Sequence, residues 1–373
     1  MIVKKRLSKI AGITIPCHWD ISIIDQIISN NDKFSVKEVY GSLSSGGPVG
    51  HGRSRESVVP VSRREAANFC EYLKSVGIRF TYLLNAPFEF NDTKEQLEKL
   101  NEYMDWIFND LRPDALTVAS LDLMKYLRKL NPNFPIYVST IAGIKNAHDF
   151  KKYVNIKPAR IIPHHDLGKQ RRDLMEIIKL VEKNNMEVEM LSTESCLRNC
   201  PSRDAHYEFL AKGNADEKFH LTCNSRKIIY PREFLLAGGI IRPEDTEIFE
   251  ELGVRFFKIT GRSKPKEWLP EVVRAYQERS YDGNLIRLLG IDPELKAEEW
   301  IYIENKSLNG FLDNYPQDGN YSEEIAYCDD WMVRLYRAGR FKLADGTKYE
   351  IKDGMLKLKT IGKRAGDIIG REL

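Results

Sequence analysis

Short apolar runs rich in β-branched and aromatic residues recur along the first 262 positions, and amphipathic stretches with apolar residues at helical spacing fill most of the gaps. The runs are ITIPCHW (13–19), VKEVYGSL (36–43), RFTYLLNA (79–86), ALTVAS (115–120), PIYVST (135–140), ARIIPHHD (159–166), EVEMLS (187–192) and RFFKITGR (255–262). Eight strands alternating with helices predict an α/β fold closed into a TIM-like (β/α)8 barrel. Helices are expected over 62–76, 93–110, 121–130, 170–184, 243–252 and 266–280. Ser62 with Glu65 and Thr93 with Gln96 have the spacing of capping boxes, and Pro243 followed by Glu244 and Asp245 suits a helix start.

Two regions break this rhythm. Residues 193–242 are too long for a βα connection and predict an insertion after the seventh strand. Beyond about residue 290 the alternation stops, and FKLADGTKYEIKDGMLKLK (341–359), with its two Asp-Gly turn signals, predicts a small β-meander. The expected organisation is a barrel over 1–290 and a C-terminal α/β extension over 291–373.

Composition changes this picture little. The 373 residues have room for both parts, and a formal charge of +3 with 42% hydrophobic residues argues for neither DNA nor a membrane surface as partner. No run approaches the ~20 apolar residues of a membrane span. The start, MIVKKRLSKIAGITIPCHWD, is basic but lacks a signal-peptide core, so a cytoplasmic location is expected. Six cysteines are too few for a disulfide scaffold of this size and point instead to buried thiols, catalytic groups or metal ligands.

Barrel chemistry sits at the C-terminal ends of the strands, where the following loops converge. Cys196 and Cys200, in TESCLRNCPSRDAH, directly follow the seventh strand, and Cys223 lies in the same insertion. Thiolates from separate loops can grip one iron–sulfur cluster or one zinc ion, although C-x3-C is a looser zinc spacing than C-x2-C. Cys328 is the expected fourth ligand and Cys17 the next candidate, whereas Cys70, on the apolar side of a helix, reads as packing. Cationic side chains frame the same mouth: Arg53, Arg203, Lys258 and Arg262 suit an anionic substrate, and Asn85 ends the third strand beside them. Alternation along the sixth strand sends one of His164 and His165 inward, and His165 is taken as an acid–base candidate. His206 reads as a surface imidazole, with a ligand or acid–base role as alternatives. The glycine-rich loop 41–53 has no Walker pattern and reads as a mobile substrate loop.

EVEMLSTESCLRNCPSRDAH, then LTCNSRKIIYPREFLLAGGIIRPEDTEIFEELGVRFFKITGR and YDGNLIRLLG, resemble peptidase family U32, the collagenase-like group. The matching positions are Glu189, Cys196, Cys200, Cys223, Lys258 with Gly261 and Arg262, and Tyr281 with Gly283 and Asn284, within a resemblance spanning about residues 13–290. It implies a TIM-like barrel and, despite the peptidase name, a 4Fe-4S cluster on four cysteines; Glu189 and Lys258, together with the His165 of the sixth strand, are the catalytic candidates. Relatives hydroxylate a quinone precursor or an RNA base without dioxygen, some with prephenate as oxygen donor. The chain departs from the family in having Glu194 and Ser195 before the first cysteine and serines in the second-strand loop. The expectation is an iron–sulfur enzyme for oxygen-independent hydroxylation, or a related redox step, on a small or RNA-bound substrate. The alternatives are a metal-dependent peptidase or hydrolase, and a non-catalytic barrel with a structural zinc or cluster whose extension binds a partner protein.

Overall fold

The computed structural model describes residues 11–29, 36–45, 47–91, 93–213, 217–291, 295–317 and 319–372. Strands β1 (Gly12–Pro16), β2 (Val36–Gly41), β3 (Arg79–Leu84), β4 (Ala115–Val118), β5 (Ile136–Val138), β6 (Arg160–Ile161), β7 (Glu187–Leu191) and β8 (Phe256–Lys258) form a closed barrel in sequence order. Every neighbouring pair is parallel, and β8 returns to pair with β1. The eight sequence runs each fall on one of these strands, with β1 starting one residue before its run. The strands are shorter than the runs because the last residues of each run already belong to the loops at the mouth.

Strand alternation divides the side chains between two faces. Ile13, Ile15, Val39, Phe80, Leu116, Val118 and Phe257 lie on the face that meets the helices, and all are buried. Thr14, Glu38, Thr81, Thr117, Tyr137, Arg160, Glu189 and Lys258 fall on the other face and are buried as well. The barrel interior is therefore charged, where branched aliphatic residues are the usual filling. Arg160 anchors it, bonding Glu38 at 3.1 Å, Glu187 at 3.2 Å and Glu189 at 3.5 Å, with its guanidinium 3.5 Å from the Phe256 ring centroid. Tyr137 donates to Glu38 at 3.1 Å, and Lys258 Nζ lies 3.7 Å from the centre of the Tyr40 ring.

The surrounding helices follow the sequence signals. Helix Arg63–Ser75 carries the complete Ser62–Glu65 capping box. Before helix Lys94–Trp106, Thr93 accepts from the Gln96 amide, but the Gln96 side chain turns to Asn91 and Glu89 instead of closing a box. Pro243 opens a single tight turn ahead of helix Thr246–Leu252.

The insertion is helical, with helices Arg203–Ala211, Glu217–Ile229 and Glu233–Leu236. Its two ends are tied together, since Thr193 bridges Ile240 and the Ile241 amide donates to Ser192. The excursion thus leaves and re-enters the barrel at one point.

The expected β-meander is not formed as such. β10 (Phe341–Leu343) pairs antiparallel with the distant β9 (Ile301–Ile303), while β11 (Lys348–Lys352) and β12 (Met355–Thr360) make a separate hairpin. The first Asp-Gly turn is diverted because Asp345 accepts from the Thr347 and Ala365 amides and so fastens the C-terminal helix Lys363–Glu372. That helix packs on Glu217–Ile229 of the insertion, and Tyr349 donates to the Ile228 carbonyl at 2.6 Å. Among the described residues no helix is long and apolar enough to cross a membrane.

Candidate active site

The loops after β2, β7 and β8, together with the insertion, enclose a cavity of about 320 Å³. Cys196, Cys200 and Cys223 all line it, with Arg53, Glu194, Arg203, His206, Phe219, Lys227 and Tyr230. Cys196 and Cys200 sit on an irregular loop, not on a turn of helix, and Asn199 between them adopts a positive φ of 50°. Cys223 approaches from helix Glu217–Ile229, with Lys227 one turn further on the same face.

Charge is arranged closely around these thiols. Loss of solvent pushes the Cys196 thiol up to about 12; Glu194 and Cys223 add to the rise, while Arg203 and Lys227 oppose it. Arg203 donates to the Leu197 carbonyl at 2.7 Å, within the span between the two loop cysteines. Lys227, itself buried, donates to Ser195 Oγ at 3.3 Å. Arg53 pairs with Glu194 at 3.3 Å and so links the β2 loop to the cysteine loop.

Two glycines let the loops close this tightly. A Cβ on Gly238 would lie 2.5 Å from the His165 carbonyl oxygen, and one on Gly239 would lie 2.6 Å from the Glu194 carbonyl oxygen. Both obstacles are backbone, so neither can swing away. Gly238→Ala is expected to cost about 1–3 kcal/mol by overpacking, read as a lower urea midpoint with an unchanged slope.

Several residues expected at the site lie elsewhere. Cys328 is fully buried on helix Tyr321–Arg337, one turn from Glu324 and Met332 on the stripe that faces inward, and it does not line the cavity. Its thiol is held by packing, as the helical spacing dictates. Cys17 and Cys70 are also buried and absent from the cavity wall. Glu189 and Lys258 belong to the barrel interior below the mouth. Burial alone would raise the Glu189 carboxyl, but Lys258 and Arg160 overcome it and hold it below the usual range. Arg262 is an anchor for the β2 loop, donating to Ser42 Oγ at 3.2 Å and to the His51 carbonyl at 2.9 Å. Asn85 donates to Ser139 at 3.2 Å, at the mouth but outside the cavity wall.

The two histidines do not alternate. β6 ends at Ile161, His164 precedes a short helical turn, and the rings stack with centroids 4.3 Å apart. His165 is buried and does not line the cavity. His206 does line it, stacked on Phe219 at 4.7 Å, and is no surface imidazole. Sequence reasoning passed over Glu194 and Lys227, although Glu194 adjoins the cysteine pair and Lys227 has helical spacing from Cys223.

Three thiols on one cavity wall are a donor set that an iron–sulfur cluster or a zinc ion uses. Tetrahedral zinc with Zn–S bonds of about 2.3 Å needs sulfurs ~3.8 Å apart. Among the described residues, however, the one trio whose ligand atoms lie within 4.8 Å of one another is His164, His165 and Asp166. The three cavity thiols, more widely set, supply three cysteine positions for a cluster.

Comparison with known proteins bears on the same segment. Residues 38–197 match the family model of peptidase family U32, a stretch that runs from β2 to the cysteine loop and ends where the sequence resemblance is strongest. An uncharacterized protease of Methanocaldococcus jannaschii is 27% identical over 287 residues, 75% of this chain and 83% of the relative. The tRNA hydroxylation protein P of Helicobacter pylori strain 26695 is 25% identical over 322 residues, covering 77% of this chain and 69% of the relative. A solved U32 peptidase structure overlaps with a TM-score of 0.49 at 14% identity, over 69% of this chain and 95% of that one. Over residues 38–197, which run from β2 to the cysteine loop, the chain is similar to peptidase family U32.

Proposed function

We propose that the chain is an iron–sulfur enzyme that hydroxylates an RNA base without dioxygen, with the base seated in the thiol-lined cavity and an organic oxygen-donor co-substrate giving up the oxygen atom and taking the two electrons that the base loses. The observation that carries this reading is the meeting of Cys196, Cys200 and Cys223, from two separate elements, on one cavity wall at the barrel mouth. A 4Fe-4S cluster on these three thiols would supply a Lewis-acid and one-electron centre beside the substrate. The other wall residues have roles of their own. Arg203 and Lys227 act against the burial that raises the Cys196 thiol, in the direction of the thiolate, the form that ligates. The stacked His206 and Phe219 rings give the cavity an aromatic wall of the kind that receives an unstacked base. Arg53 and Arg203 provide guanidinium forks for phosphate or carboxylate oxygens. The tRNA hydroxylation proteins among the relatives support RNA as the substrate class.

The test is to produce the chain in anaerobic cells, digest the tRNA to nucleosides and weigh them. One nucleoside should gain a single oxygen atom with the native chain and none with Cys223→Ala. An oxygenated nucleoside that forms only in air, or a tRNA pool unchanged while peptides are cleaved, would contradict the proposal.

A further inference from the structure

We propose that His164, His165 and Asp166 form a second metal site, separate from the thiol cavity, for one divalent first-row transition ion. The trio follows β6 at the C-terminal end of the barrel. One ligand atom from each residue falls within 4.8 Å of the other two. His164 Nδ1 is 3.5 Å from Asp166 Oδ2, and His165 Nε2 is 3.5 Å from Asp166 Oδ1.

An independent observation points to an occupant. His165 is 1% exposed and Asp166 4%, yet both ring nitrogens of His165 and Asp166 Oδ1 have no hydrogen-bond partner. Each such orphan bears the desolvation penalty of a buried polar group, and a native fold seldom carries three on two adjacent buried residues without a ligand. The surroundings are also fixed. Asp166 Oδ2 accepts from the Asn199 amide at 3.2 Å, and Gly238 packs against the His165–Asp166 backbone with no room for a side chain.

The chemistry selects the ion. Both imidazoles are buried, with the cationic side chains of Arg203, Lys145 and Arg198 acting on them. The same cations work against Ca²⁺ and Mg²⁺, which are held by oxygen ligands and charge, and leave the advantage to ions that bond covalently to imidazole. Arg198 is itself neutralised by Glu324, at 2.9 Å from Nη2, and Asp166 supplies the anionic ligand. Two imidazoles and one carboxylate leave coordination positions open. The His164–His165 stack has an interplanar tilt of 29°, so binding requires one ring to turn until both lone pairs meet the ion.

The site is tested on the full chain by anaerobic titration with Co²⁺ alone. One equivalent should bind with the ligand-field spectrum of nitrogen and oxygen donors, lacking the ultraviolet thiolate-to-cobalt charge-transfer band. His165→Ala and Asp166→Asn should weaken this binding more than about 100-fold, the upper end of what even supporting-shell changes cost. His148→Ala, at an exposed histidine, should leave it unchanged, as should Cys223→Ala. Native protein that shows no such spectrum, or His165→Ala that binds as the native chain does, would overturn the proposal and leave buried water as the occupant. Iron and sulfide content of His165→Ala is measured in parallel, so that failure here is distinct from failure of the cluster reading.

Discussion

Glu324→Ala is expected to destabilise the chain by about 3–5 kcal/mol, the range for removing one partner of a buried ion pair. Glu324 is fully buried and grips Arg198 through two bonds, of 2.5 and 2.9 Å, while accepting from Tyr315 at 3.0 Å. Arg198 lies between Cys196 and Cys200, so its partner on the C-terminal extension holds the cysteine loop in place. Without that partner a guanidinium is left buried in the loop, and the loop must open to hydrate it. The variant should therefore lose bound iron as well as stability. The paired change Arg198→Met with Glu324→Leu removes both charges, and it should recover much of the stability. Urea unfolding of the two singles and the double closes the cycle. If Glu324→Ala unfolds like the native chain, the extension does not brace the site.

Arg160→Met should have an effect of similar size, about 3–5 kcal/mol near neutral pH. It strands Glu38 and Glu189, both buried in the barrel interior, with Lys258 and the half-exposed Arg79 as the remaining cations. The pH dependence gives the mechanism away. In the native chain the Glu189 carboxyl is held below the ordinary Glu value of about 4.3. Its contribution is therefore complete above that value and is lost as pH falls through the depressed one. In the variant burial goes unopposed by Arg160, the Glu189 carboxyl protonates more readily, and the deficit should shrink between pH 8 and pH 5. A deficit that is constant across this range would mean that only packing was lost.

The barrel was legible because its signals are local. Strand periodicity, the Ser62–Glu65 box and the position of Cys196 and Cys200 just past a strand all lie within a few residues of the features they foretell. The meeting of Cys223 with that pair followed from the insertion, which has to return to the point where it left. What escaped was long-range. Arg198 and Glu324 are 126 residues apart, and nothing near either one announces the pair. The same distance hid the role of the extension: it packs on the insertion helix that carries Cys223 and clasps the cysteine loop. Cys328 departs from the expectation for the converse reason: its helical spacing from Glu324 and Met332 places it on the buried stripe of its helix, and a thiol there packs in the interior. Glu189 and Lys258 face the barrel interior, and depth along a strand decides between mouth and interior. The histidine pair escaped alternation because the strand ends three residues before His164.

The central claim is that Cys196, Cys200 and Cys223 hold one iron–sulfur centre at the barrel mouth. Its most direct test is the iron and acid-labile sulfide bound per chain after anaerobic purification of the native protein and the single cysteine variants. Cys196→Ala, Cys200→Ala and Cys223→Ala should each lose the cluster, while Cys70→Ala and Cys328→Ala should keep the native content. A native chain without iron, or a cluster that survives loss of a cavity thiol but not of Cys328, would contradict it.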